Sequence, residues 1–317
     1  MTQVNQITPE GSLRHLLSIE GLPRQLITSI LDRADQLLTL RADELPRSLR
    51  GRTVMNLFFE PSTRTRVSFE LAARRLGAEV VSFDVARSST TKGETLLDTV
   101  STLSAMGSDI YVVRHVDASA VQAICNHVGD QQSVLNAGDG CRAHPTQALL
   151  DVLTIRQHKG RFDGLRIVVV GDIRHSRVAR STITALKVLG AEHIKLVGPD
   201  QLLPIDSDFE GVTRQSDLDQ AIEAADVVIA LRLQKERMIE GLVPNATEYF
   251  QRYGLTQSRL KRAAEDCIVM HPGPFNREVE ISSHVADGSQ SVIWQQVENG
   301  VAIRMAVLEA VIRTRDN

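Results

Sequence analysis

Residues 53–77, TVMNLFFEPSTRTRVSFELAARRLG, decide the fold, because a strand and a helix meet in them with almost nothing between. Thr53 to Phe59 is an apolar run of strand length, Pro61 ends it, and Val67, Leu71 and Leu76 then recur at roughly helical spacing until Gly77. Ser62-Thr63-Arg64-Thr65-Arg66 therefore falls on the first turn of a helix. The first N–H groups of a helix have no internal partner, and the macrodipole adds about half a positive charge there, so the turn is suited to an anion. Ser62 is placed to cap the helix, and Arg64 adds a planar, permanently charged fork that suits phosphate. Arg66, two residues on, points away, toward a carboxylate elsewhere or into the fold. Taken alone, the cluster describes an ordinary capped helix with a solvated basic turn equally well, so the rest of the chain has to decide.

Outward from this unit the same alternation continues. After a helical opening around Leu22 to Thr39, short apolar runs recur at Val80–Phe83, Ile110–Val113 and Val134–Leu135, separated by helical stretches such as Leu96–Met106 and Ala118–His127. A second series has runs at Ile167–Val170, Ile194–Val197, near Val212, at Val227–Leu231 and at Ile268–Met270, with a helix at Arg177–Leu189. Strands alternating with helices predict α/β architecture: two doubly wound parallel-sheet domains. The join falls between the Gly138–Gly140 turn and Gly164 and is spanned by a helix over Thr146–His158, while the apolar helix at Ala302–Ile312 is expected to pack back on the first domain.

Composition narrows the partners. The chain has 317 residues, 42% hydrophobic and 24% charged, with a net charge of -3. That is the size of about two domains and carries no basic excess for a nucleic-acid backbone, so its cations serve small anions. Cys125, Cys141 and Cys267 are far apart with no zinc-type spacing, and read as reduced thiols of a cytoplasmic protein. No apolar run approaches the ~18 residues of a membrane span. Asn245-Ala246-Thr247 is a chance match to a glycosylation acceptor.

No cofactor or metal is expected. Gly171-Asp172-Ile173 follows a strand as a dinucleotide fingerprint does, but Ile173 and Ser176 stand where glycines would admit a pyrophosphate. Ser89-Thr90-Thr91-Lys92-Gly93 lacks the order of a nucleotide phosphate loop. The informative groups sit at strand ends, where open parallel sheets bind ligands. Arg114-His115 ends one strand, and a glycine turn leads from another to His144-Pro145-Thr146-Gln147. Arg232-Leu233-Gln234-Lys235 and His271-Pro272-Gly273-Pro274 end two more. Singly, each is as well explained by a structural ion pair or a turn. Together they supply Arg64, Arg114 and His144 for a phosphate and a nearby carbonyl, and Arg177 and Arg232 for two carboxylates.

The segments FFEPSTRTRVSFE, TTKGET, VVRH, HPTQALLD, GDIRHSRVARS, LRLQKER and HPGP stand in the order found in transcarbamylases, and from about Leu13 to Leu308 the chain resembles the aspartate/ornithine carbamoyltransferase family. Within it, ornithine needs an acidic pocket, usually with a Cys in an HCLP segment, whereas aspartate needs cations. Here HPGP has no Cys and Arg232 precedes it, so the aspartate branch is implied. The resemblance implies transfer of a carbamoyl group from carbamoyl phosphate to the α-amino group of L-aspartate in pyrimidine biosynthesis, by direct attack. It implies residues 1–145, completed by a C-terminal helix over 302–317, as the carbamoyl-phosphate-binding domain, and 155–295 as the aspartate-binding domain.

By the same resemblance, Ser62, Thr63, Arg64, Thr65, Arg114, His144, Gln147, Gly273 and Pro274 hold carbamoyl phosphate, and Ser88, Lys92, Arg177, Arg232 and Gln234 hold aspartate. Arg64, Thr65, Lys92, Arg114 and His144 are the catalytic set, with His144 a neutral donor beside two arginines. Ser88 and Lys92 come from a neighbouring subunit in the family, which implies a homotrimer with shared sites. Thr91 departs from the Lys-Lys pair of some members. The segment from Gly273 to Arg277 resembles the branch that assembles with dihydroorotase or an inactive relative of it, and a regulatory chain is the other family partner. Alternatives are transfer to another amino acid such as ornithine, or a non-catalytic relative, against which stands the presence of every expected residue.

Overall fold

The computed structural model describes residues 6–83, 94–205, 209–233 and 245–313. The chain divides into two units, Met1–Leu149 with Asn299–Asn317, and Leu150–Glu298.

In the first unit, β1 (Thr53–Phe58), β2 (Glu79–Phe83), β3 (Ile110–His115) and β4 (Ser133–Asp139) form a wholly parallel sheet in the order β2-β1-β3-β4. Its helices are α1 (Arg24–Thr39), α2 (Thr63–Arg75), α3 (Leu96–Ala105) and α4 (Ala120–His127). From β1 the chain crosses to β2 on one side, then returns past β1 to β3. Right-handed crossovers in opposite directions put α2 and α3 on opposite faces of the sheet. The core agrees: Met55 and Leu57 pack with Val100 and Leu103 of α3 and Val121 and Ile124 of α4. Alternation along β1 turns Val54 and Asn56 to the other face, the one α2 covers.

The second unit repeats the plan with β5 (Arg166–Val170), β6 (His193–Val197), β7 (Thr213–Gln215), β8 (Val227–Ala230) and β9 (Ile268–Met270), parallel and in the order β7-β6-β5-β8-β9. Between its strands lie α6 (Arg177–Leu189), α7 (Leu218–Ala221), α8 (Ala246–Tyr253) and α9 (Gln257–Leu260), and α10 (Ser283–Ala286) follows β9. Asn245 is the N-cap of α8, its side chain accepting from Glu248 N at 3.0 Å, so the glycosylation-like triplet has a structural use. Two helices span the division: α5 (Pro145–Lys159) and α11 (Ile293–Arg313). The expected fold class, two doubly wound parallel-sheet domains, is the one found.

Two element boundaries differ from expectation for one reason, that apolar density understates elements whose polar residues are used internally. β4 runs on past Leu135 because Asn136, fully buried, donates to Leu17 O and accepts from Gly138 N, each at 2.8 Å. The last helix begins at Ile293, well before Ala302, because Gln296 is buried and hydrogen-bonded rather than solvated. Among the described residues, no helix is long and apolar enough to cross a membrane.

One ion pair returns the last helix to the first unit. Glu309 of α11, 2% exposed, accepts from Arg33 Nε at 2.6 Å, Arg33 Nη2 at 3.2 Å and Ser48 Oγ at 2.9 Å. Removing one partner of such a pair leaves a buried charge uncompensated. We expect Arg33→Ala to lower the unfolding free energy by about 3 kcal/mol, at the low end for buried pairs because Arg33 is partly solvated. Urea denaturation checks this, and a loss within about 0.5 kcal/mol, the range of ordinary surface changes, would remove the anchoring role.

Candidate active site

A sheet that changes winding direction opens a crevice beyond the carboxyl ends of the two strands at the switch. In the first unit those strands are β1 and β3. β1 leads through Glu60 and Pro61 into α2, and β3 ends in Arg114, so the predicted anion-binding residues sit at the switch point. Thr63 and Arg64 are exposed on the first turn of α2, and Thr65 is 7% exposed and turned inward. Ser62 occupies the N-cap position with extended backbone, but its side chain makes no capping hydrogen bond, which corrects the expectation that it caps. Arg66 is exposed and pairs with no carboxylate among the described residues; its place on the outer face of α2 carries it away from both destinations expected for it.

Arg114 is 8% exposed. Its Nη1 donates to Ala137 O at 3.3 Å and its Nη2 to the Glu60 carboxylate. Glu60, which sequence reasoning passed over, thus brings an acid into a cationic crevice and supplies a counter-charge to Arg114. Its signal was only its adjacency to the Pro61 break. The neighbouring strand, β4, leads to His144 and Gln147, 5% and 8% exposed. His144 O accepts from Gln147 N at 3.0 Å and Ala148 N at 3.2 Å, opening α5, and Pro145 takes the first helical position, where a missing N–H is harmless. Polar side chains this deeply buried beside a crevice are what a small polar ligand requires.

The second unit places its switch point between β5 and β8. β5 leads through Gly171–Ser176 to α6, whose first residue is Arg177, half-buried; β8 leads to Arg232, exposed. The two strand ends are held tightly, with Leu231 N donating to Val170 O at 2.8 Å. Gly171 is what permits it: with φ at +132°, a Cβ there would lie 2.9 Å from Leu231 O. The glycine resembling part of a nucleotide fingerprint therefore serves backbone approach. Gly273 and Pro274 follow β9, the neighbour of β8, and the peptide between them is cis.

Two buried networks, neither legible in the sequence, fix these loops. Glu280, 2% exposed, accepts from Leu233 N at 2.8 Å, Asn276 N at 2.6 Å and Asn276 Nδ2 at 2.8 Å, so one carboxylate joins the loop after β8 to the loop after β9. Burial pushes its pKa above the usual carboxylate range, and the hydrogen bonds it accepts oppose that. Asp151, fully buried, accepts from Thr182 Oγ1 and Gln296 Nε2, each at 2.8 Å; Gln296 Oε1 in turn accepts from His271 N at 2.9 Å. His271 Nδ1 accepts from Gly273 N at 2.8 Å, which fixes a proton-free Nδ1 and sets the start of the HPGP turn.

Ser88, Lys92 and Gln234 lie outside the described residues. Among the described residues, no group of three or more His, Cys, Asp or Glu is placed to hold a metal ion. Cys125 and Cys267 are buried, and burial pushes both thiols up to about 12, so neither is a nucleophile.

Residues 14–157 match the aspartate/ornithine carbamoyltransferase carbamoyl-P binding domain, and residues 163–311 match the Asp/Orn binding domain of the same proteins. The chain belongs to the aspartate/ornithine carbamoyltransferase family. Among solved structures of the family, it is similar to aspartate transcarbamoylase from Trypanosoma cruzi in complex with carbamoyl aspartate and phosphate. The TM-score is 0.86 and the identity 33%, over 98% of this chain and 99% of that one. The same enzyme with N-(phosphonacetyl)-L-aspartic acid gives 0.86 and 33%, over 96% and 98%. Ornithine carbamoyltransferase from Pyrococcus furiosus gives 0.86 and 28%, over 98% and 99%. The family's enzymatic character, expected from the motifs, holds, and the fold is equally similar to that of the aspartate enzyme and of the ornithine enzyme.

The Glu280 link generates a test of loop positioning. We expect Glu280→Gln, which sets an amide N–H against donors, to raise KM for the amino-acid substrate about tenfold, the effect of one buried hydrogen bond to a charged group. Carbamoyl phosphate KM should change less than twofold. Equal rises in both would point to a general structural defect instead.

Proposed function

We propose that this chain transfers the carbamoyl group of carbamoyl phosphate to the α-amino group of L-aspartate, giving N-carbamoyl-L-aspartate and phosphate for pyrimidine synthesis. The observation that carries the acceptor is the second switch point, where Arg177 and Arg232 flank β5 and β8 and the following HPGP turn has no cysteine. Two fixed cations suit the two carboxylates of aspartate and repel the side-chain ammonium of ornithine.

The first unit binds carbamoyl phosphate and the second binds aspartate. Ser62, Thr63, Arg64 and Thr65 take the phosphate at the N-terminus of α2, where it also competes with Glu60 for Arg114. His144, Gln147, Gly273 and Pro274 hold the carbamoyl end, and Ser88, Lys92, Arg177, Arg232 and Gln234 hold aspartate. The amine nitrogen attacks the carbonyl carbon, the new C–N bond forms as the C–O bond to phosphate breaks, and the departing phosphate takes the amine proton. Thr65, Arg114 and His144 meet the developing oxyanion, where losing one donor costs about 10² to 10³ in turnover. No protein nucleophile enters.

Ser88 and Lys92 act from a neighbouring copy in a homotrimer. Supporting this, α2 exposes Val67 and Leu71 (43% and 41%) one turn apart, and β2, an edge strand with Val81 44% exposed, leads directly to residues 84–93. Apolar residues on an unpaired strand edge favour association.

Rates with L-aspartate and L-ornithine decide the acceptor: carbamoylation of aspartate alone is expected, and turnover of ornithine would sink the assignment. Arg64→Ala should lose at least 10²-fold in kcat/KM with an unchanged circular dichroism spectrum. Mixing inactive Lys92→Ala and Arg64→Ala chains should restore activity through sites that receive neither change, and no recovery would mean that sites are not shared.

A further inference from the structure

Among its described residues, the first unit buries one cation that no acid answers. Arg304 of α11 is 3% exposed. Its Nη1 donates to Gly300 O at 2.8 Å, its guanidinium carbon lies 5.0 Å from the centroid of the Phe69 ring, and its Nε is buried without a hydrogen-bond partner among the described residues. Burial pushes its pKa down to about 9, and no neighbouring acid raises it. Arg33 shows the contrast, since its charge is met by Glu309 on this same helix. Leaving a guanidinium desolvated and unpaired is unfavourable, and such groups concentrate where their field is used.

Its position says where that field acts. Phe69 is fully buried and follows Thr65 by four residues, so the two lie on one face of α2, and helical side chains lean toward the N-terminus. Arg304 therefore sits beneath the first turns of the helix that begins with Thr63 and Arg64. The same layer holds Asn56, 1% exposed on the α2 face of β1, whose two side-chain polar atoms have no hydrogen-bond partner. The layer thus holds an unpartnered amide and a guanidinium on which no acid among the described residues acts.

We propose that Arg304 is a positioning residue for the phosphate site: it seats α2 through Phe69 and raises the positive potential at the helix N-terminus, so that the bound anion is its missing counter-charge. It does not touch substrate. A charge in a poorly polarisable interior acts over a longer range than one in water, so an anion roughly 10 Å away gains on the order of tenfold in affinity at an effective dielectric near 20. The proposal rests on phosphate binding at α2.

Inorganic phosphate, titrated calorimetrically into the full chain, separates the two. Failure of the unaltered protein to bind phosphate overturns the binding reading itself. If it binds, Arg304→Met, of similar length and neutral, should weaken phosphate about tenfold and raise KM for carbamoyl phosphate to match, with acceptor KM unchanged. Arg304→Lys should stay within about threefold of the unaltered protein. A folded Arg304→Met with phosphate affinity within about twofold overturns the proposal. Should that variant not fold, Arg304→Lys decides, because a tenfold loss with the charge retained rules out an electrostatic role.

Discussion

Parallel strands share a direction, and that constraint organises both units. Everything that follows a strand emerges at one edge of its sheet, and the winding reversal leaves that edge open between β1 and β3 and between β5 and β8. The arginines at those two gaps, Arg64 and Arg114 in one unit and Arg177 and Arg232 in the other, are far apart in sequence. Each pair is brought together by hydrogen-bonded neighbours in a sheet, not by a motif. The site's chemistry follows from topology first and from residue identity second.

Cations collected at one place repel each other, and the molecule handles this differently at different points. Arg114 is met by Glu60, an acid on the loop that leads into α2. Arg33 is met permanently by Glu309, whose role is to anchor a helix. Arg304 is met by no acid among the described residues and stacks on Phe69. The three cases differ in their counter-charge: a half-buried acid, a buried acid, and none among the described residues. In the second unit buried acids take another part: Glu280 and Asp151 organise loops by accepting N–H and O–H bonds.

Much of this was legible in residues 53–77 alone. The strand, the Pro61 break and the basic helical turn stand where their spacing put them, because apolar periodicity and proline act locally. What escaped was of two kinds. Polar residues used internally, such as Asn136 and Gln296, look like the ends of elements when judged by hydropathy. Single acids such as Glu60, Glu280 and Asp151 carry no pattern of their own, since their partners lie elsewhere in the chain, on other strands, helices and loops. Ser62 shows the reverse error, where a residue of the right type at the cap position makes no cap.

By itself the sequence determined the alternation of strand and helix, the family, and the set of cations available to anionic substrates, because these depend on periodicity and on residue types in order. Only the tertiary structure decided which acids hold those cations and loops in place, and that one arginine, Arg304, is buried against Phe69 of α2 with no acid among the described residues beside it. Pairing and desolvation are properties of position in three dimensions: the same arginine is a solvated surface group or a buried field source according to what packs around it, and one chain of letters does not record that.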